Sequence, residues 1–138
     1  MAKKISLSIF GRKIGFTLTE LLIVVIILGI LATLALPMLV KTIEKAKVGE
    51  AVSNLNLIRT GQKIYFLEYS TFSQSIASLN IEDPNATANT YFDYSIEGAD
   101  SSDFTGRAQR KDNAPSPYDG YYYDIKKDGT ITSNGPLI

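Results

Sequence analysis

Gly15-Phe16-Thr17-Leu18-Thr19-Glu20 opens onto Leu21-Leu22-Ile23-Val24-Val25-Ile26-Ile27-Leu28-Gly29-Ile30-Leu31-Ala32-Thr33-Leu34-Ala35-Leu36, an apolar run that stops at Pro37. From Phe16 to Leu36 a helix rising ~1.5 Å per residue would cover about 31 Å, enough to cross a hydrocarbon core. One carboxylate, Glu20, stands at the head of that segment. A charge at mid-bilayer costs roughly 2.5–3.5 kcal/mol on insertion scales, and less near the interface, so Glu20 asks for a partner. Ahead of it Lys3, Lys4, Arg12 and Lys13 form a basic leader without acidic residues. Positive flanks stay cytoplasmic, which predicts a cytoplasmic N-terminus and an outward-facing remainder.

The order of basic leader, Gly15-Phe16, Glu20 and apolar run closely resembles the signature of type IV prepilins and of the related type II secretion pseudopilins. The match covers about Lys3 to Pro37. A secretory signal places its apolar stretch before the cleavage site. Here Gly15/Phe16 precedes that stretch, so the membrane segment would remain in the mature protein. The resemblance implies that residues 1–15 are removed after Gly15 by a prepilin peptidase, and that Phe16 becomes the N-methylated terminus. It implies a single-pass subunit of the bacterial inner membrane, held in lipid and then polymerised through its N-terminal helix by a platform protein and an assembly ATPase. The product would be a homo-oligomeric helical filament. Glu20 would attract the Phe16 amine of a neighbouring subunit, an amine that exists only after the cut. Gly29 and Pro37 would mark a helix segment that unwinds in assembled pili; on chemistry alone, glycine loosens a helix and proline removes a donor and kinks it.

Composition narrows the alternatives. The 138 residues hold 14 basic and 14 acidic side chains, but the leader takes four of the basic ones and leaves an acidic remainder. That argues against a nucleic-acid binder, which needs a basic stripe. The chain has no cysteine and no histidine. Disulfides, thiolate chemistry, Cys/His zinc sites and histidine acid–base catalysis are therefore excluded. No phosphate loop or catalytic triad is visible, and the expectation is that the chain is not an enzyme.

Beyond Pro37, Val48, Ala51, Val52, Leu55, Ile58, Tyr65 and Tyr69 recur at three- and four-residue steps, with Gln62 on the same face. Lys41, Glu44, Lys45, Lys47, Glu50, Arg59 and Lys63 are assigned to the remaining surface. One long helix is predicted from about Phe16 to Tyr69, followed by a short turn at Ile76-Ala77-Ser78-Leu79. Strands are expected over Tyr91–Ile96, Phe104–Arg110, Tyr121–Ile125 and Thr130–Ser133, with loops at 98–103 and 111–119. A three-residue turn, Lys127-Asp128-Gly129, sets Ile131 opposite Ile125 and Tyr123 opposite Ser133, an apolar pairing that a two-residue Asp-Gly turn would lose. The fold class is α+β, a long helix against a small sheet that meanders through three or four antiparallel strands. Its parts are a leader (1–15), a transmembrane assembly helix (16–36), an amphipathic continuation (37–70) and a head (71–138).

Asp119, Asp124 and Asp128, with Asp112 and Asn113 nearby, offer oxygens for calcium, and the resemblance to calcium-stabilised pseudopilins makes that ion the candidate cofactor. Asn85-Ala86-Thr87 fits a glycosylation sequon. Two functional readings follow: a type IV pilus subunit ending in an extracellular filament, or a major G-like pseudopilin in a periplasmic pseudopilus that exports folded proteins. A membrane-anchored enzyme or binding module would need an outer site with convergent reactive groups, which the sequence does not offer.

Overall fold

The computed structural model describes residues 15–135; the leader lysines and arginine lie outside them. Helix α1 runs Leu18–Tyr69. A single 3-10 turn follows at Ile76–Ser78, and then strands β1 (Phe92–Ala99), β2 (Phe104–Arg110), β3 (Tyr122–Lys126) and β4 (Ile131–Ser133). The chain divides into two compact units at Leu39/Val40.

In the first unit every residue from Gly15 to Leu39 is exposed. The helix passes through Gly29 and Pro37 without a break. Pro37 supplies no N–H to the Thr33 carbonyl; separately, the Thr33 hydroxyl donates to the Ile30 carbonyl at 2.7 Å. The segment is long and apolar enough to cross a membrane.

In the second unit the helical row Val48, Ala51, Leu55 and Ile58 is buried. It packs in one core with Phe92, Tyr94, Phe104, Ala108, Tyr123 and Ile125 of the sheet. Burying a Leu, Ile or Phe side chain is worth roughly 1.5–3 kcal/mol, so this row dominates the adhesion of helix to sheet. Gln62 continues the row and is fully buried, with its amide paired twice to Ser73: Nε2 donates to the carbonyl at 2.7 Å, and Oε1 accepts from the N–H at 2.8 Å. A polar residue is tolerated there because both ends of the amide are satisfied. The helix stops at Ser70, which takes the left-handed conformation (φ 55°). Phe66, rather than the expected Tyr69, then meets the core: it stacks on Phe72 (4.7 Å), which tilts against Phe104 (5.2 Å), while Tyr69 stays 56% exposed.

The sheet is an antiparallel meander in the order β1-β2-β3-β4. The expected last turn is present, with Tyr123 opposite Ser133 and Ile125 opposite Ile131. Gly129 supplies the left-handed position at φ 92°. Several boundaries are corrected: α1 begins at Leu18 rather than Phe16, β1 at Phe92 rather than Tyr91 and β4 at Ile131 rather than Thr130, and β3 ends at Lys126 rather than Ile125. Gly98 and Ala99, assigned to a loop, extend β1 after a register shift between Ile96 and Gly98, and the loop proper shrinks to Asp100–Asp103. Asp100 accepts hydrogen bonds from the Ser102 hydroxyl and from the N–H groups of Ser102 and Asp103, which closes that loop tightly enough for the ladder to continue. The third strand starts at Tyr122, although the Tyr121 carbonyl still accepts from Arg110 N–H at the sheet margin.

Candidate assembly helix and its processing site

Gly15 and Phe16 precede the helix, and Phe16 is 80% exposed. Thr17 is the N-cap. Its hydroxyl accepts from Glu20 N–H at 3.2 Å, while Glu20 Oε2 accepts from Thr17 N–H at 2.7 Å and from the Thr17 hydroxyl at 2.9 Å. This reciprocal arrangement is a capping box, which satisfies two of the donors a helix start leaves open. The Thr-x-x-Glu spacing carries that signal, but the sequence reading treated Glu20 only as half of an intersubunit pair. A carboxylate in the first turn also meets the positive end of the helix dipole. Both local bonds fall on Oε2, so Oε1 keeps its lone pairs for a further donor.

Downstream, the apolar side chains present a continuous exposed surface: Leu21, Leu22, Ile23, Val24 and Val25 are each more than half exposed, and the pattern persists to Leu39. A surface of this kind is covered by lipid or by other helices. Gly29 has open space around its α-carbon. A neighbouring helix could approach closely there.

The second unit holds one feature that the sequence reading missed. Glu44, assigned to the solvent face, is buried, as is Arg110 at the end of β2. Arg110 Nε and Nη2 donate to the Glu44 carboxylate at 3.2 and 3.3 Å, Lys47 Nζ donates to it at 2.7 Å, and Arg110 Nη1 donates to the Tyr91 carbonyl at 2.9 Å. Burial works to raise the Glu44 carboxyl, but the bonds from Arg110 and Lys47 outweigh it and hold the group below its ordinary value. The signal was readable: Glu44, Val48, Ala51, Leu55, Ile58 and Gln62 fall on one helical row, with a polar residue closing each end.

The calcium candidates are not brought together. Asp124 is engaged by Arg107, whose Nε and Nη2 each donate at 2.7 Å, and Asp128 accepts from the Thr130 N–H and hydroxyl at 2.8 Å. Asp119 is exposed on the 111–121 loop. Among the described residues no group of three or more acidic side chains is placed to hold a metal. Asn85 of the sequon is used structurally. Its Oδ1 accepts from Tyr94 N–H at 2.8 Å and its Nδ2 donates to the Tyr94 carbonyl at 2.9 Å, filling ladder positions on the free edge of β1.

Comparison with known proteins agrees with the N-terminal geometry. The prokaryotic N-terminal methylation motif matches residues 10–36. The type IV major pilin protein PilA of Myxococcus xanthus (strain DK1622) is 47% identical over 68 residues, covering 47% of this chain and 31% of that protein. The type II secretion system core protein G of Aeromonas hydrophila is 39% identical over 71 residues, 49% of this chain and 50% of that one. The chain thus spans from about a third to a half of these relatives' lengths. They are structural pilin and pseudopilin subunits, not enzymes. A crystal structure of the non-core minor pilin PilV of Neisseria meningitidis superposes with a TM-score of 0.50 at 20% identity, covering 70% of this chain and 92% of that one. That likeness places the α+β fold with pilins.

Proposed function

We propose that this chain is a structural subunit of a type IV pilus-like filament. It is cut by a prepilin peptidase after Gly15, N-methylated on Phe16, and polymerised from the inner membrane through its N-terminal helix. The observation that carries this reading is the methylation motif over residues 10–36, set at the head of a fully exposed apolar helix. The non-helical, exposed Gly15–Phe16 junction suits cleavage, and Thr17 holds the Glu20 carboxylate in place beside the new terminus. As helices bundle, Glu20 Oε1 accepts the Phe16 ammonium of a neighbour. An unpaired carboxylate buried in every subunit would be strongly unfavourable, so this pairing selects the register. The assembly ATPase and platform protein are the partners this route requires.

A second reading, a periplasmic pseudopilus of a secretion system, is favoured by the 39% identity to core protein G. We place the pilus first on the higher identity to the major pilin. The test separates processing from assembly. Glu20→Ala should leave cleavage and N-methylation of the subunit largely intact while abolishing sheared filament. Normal filaments from that variant would sink the proposed role of Glu20.

A further inference from the structure

Two surfaces flank the buried row of α1 on opposite sides, and they carry opposite charge. One is a groove of about 350 Å³ lined by Phe66, Leu67 and Phe72 between Lys63 and Lys127. Leu67 is 85% exposed. Lys63 meets no acceptor among the described residues, while Lys127 Nζ donates to the Ser102 carbonyl and its charge also acts on the Asp100 carboxylate. The other is a hollow of about 230 Å³ where Glu50 and Leu57 of the helix face Glu82 and Asp83 of the following loop. One oxygen there, Glu50 Oε1, is buried without a hydrogen-bond partner.

At 3.6 residues per turn, Glu50, Asn54 and Leu57 lie about 110° to one side of the buried row, and Lys63, Phe66 and Leu67 about 90° to the other. The two sets are offset by about 17 Å along the helix axis. We propose that the Lys63/Lys127 groove of one copy receives the Glu50/Glu82/Asp83 face of the next. Each surface pairs an exposed leucine with charges of one sign, so the contact joins apolar area and ion pairs. Complementary patches on opposite flanks with an axial offset make a heterologous contact that does not close, which generates an open helical array rather than a dimer. This inference rests on the filament reading and adds to it a lateral contact outside the apolar N-terminal segment.

Because the chain has no cysteine, engineered thiols report without background. Lys63 and Glu82 are both exposed, so Lys63→Cys with Glu82→Cys leaves the core untouched. Filaments of the double variant, oxidised and run without reductant, should give a ladder of dimers, trimers and higher multimers, with neither single variant passing beyond a dimer. Filaments without the ladder, or a double variant that stops at dimers, would overturn this contact and leave the filament reading standing. Absence of filaments even from the unaltered chain, in a host carrying the assembly machinery, would overturn both. Should the cysteine pair itself block assembly, charge exchange decides. Lys63→Glu or Glu82→Lys alone should lower sheared filament roughly tenfold or more, and the two together should restore it. Failure of the exchange to restore it would overturn the proposal.

Discussion

Replacing Glu44 with leucine should destabilise the second unit by about 3–5 kcal/mol, because it strands a buried guanidinium. Glu44 and Arg110 are each only 3% exposed, and the pair is joined by two bonds of 3.2 and 3.3 Å. Without the carboxylate, Arg110 keeps the Tyr91 carbonyl and the rings of Tyr91 and Phe92, each 5.6 Å from its guanidinium carbon. Cation–π contacts of this kind contribute about 0.5–2 kcal/mol, too little to offset the loss. The reverse change, Arg110→Met, leaves Glu44 its 2.7 Å bond from Lys47 and should cost less, about 1.5–3 kcal/mol. The double replacement, Glu44→Leu with Arg110→Met, removes both charges and should return to within about 1 kcal/mol of the parent. Thermal unfolding of the detergent-solubilised chain, followed by tyrosine near-ultraviolet circular dichroism, reads all three. For a unit of this size about 3 kcal/mol corresponds to a midpoint drop of at least about 12 °C. A Glu44→Leu shift under about 4 °C, or a double variant as damaged as the sum of the singles, would refute the reasoning.

Three further outcomes follow from the same structure. Gly61→Ala, which in an exposed helix would stabilise by about 0.8–1 kcal/mol, should here lose about 1–3 kcal/mol, because an added Cβ meets Ile81 Cγ2 at 2.8 Å and Leu79 Cβ at 3.2 Å; a raised unfolding midpoint would contradict this. Acid stability depends on carboxyls depressed in the fold. The Ser102 hydroxyl and the Asp103 and Ser102 N–H groups hold Asp100 at about 2, Thr130 lowers Asp128, and Glu44 is lowered as described. Their stabilisation is present above the ordinary carboxylate range and lost as pH falls through about 4 toward 2, so the midpoint should drop there; an acid-insensitive midpoint would refute it. At the alkaline end, burial pushes the Tyr94 phenol up to about 12, against the bond from Asn54 and with help from the Glu50 charge. Stability from that group is complete below about pH 10 and fades as pH rises through 12, which ultraviolet titration of tyrosinate alongside unfolding would check.

Much of the fold was legible because its signals are local and periodic. The long helix ending at Tyr69, the antiparallel meander and the register of Ile131 on Ile125 follow from spacing and from a glycine where the turn needs positive φ. What escaped depends on contacts distant in sequence. Glu44 shares a helical row with the apolar core residues, but it looked like a solvent charge because its partner, Arg110, is 66 residues away. The extension of β1 past Ile96 depends on Asp100 gathering three donors, a closure that polar composition alone does not reveal. Asn85 resembled a modification signal, yet its amide is spent on the backbone of Tyr94. At the N-terminus the sequence located Glu20 as the residue in need of a partner. The structure adds that Thr17 is the first of its partners.

Mass spectrometry of filaments sheared from producing cells tests the central claim most directly. Abundant subunit beginning at N-methylated Phe16 is the predicted result. Mature subunit confined to membranes would shift the reading to the pseudopilus. Uncleaved chain beginning at Met1, in cells that carry an active prepilin peptidase, would contradict it.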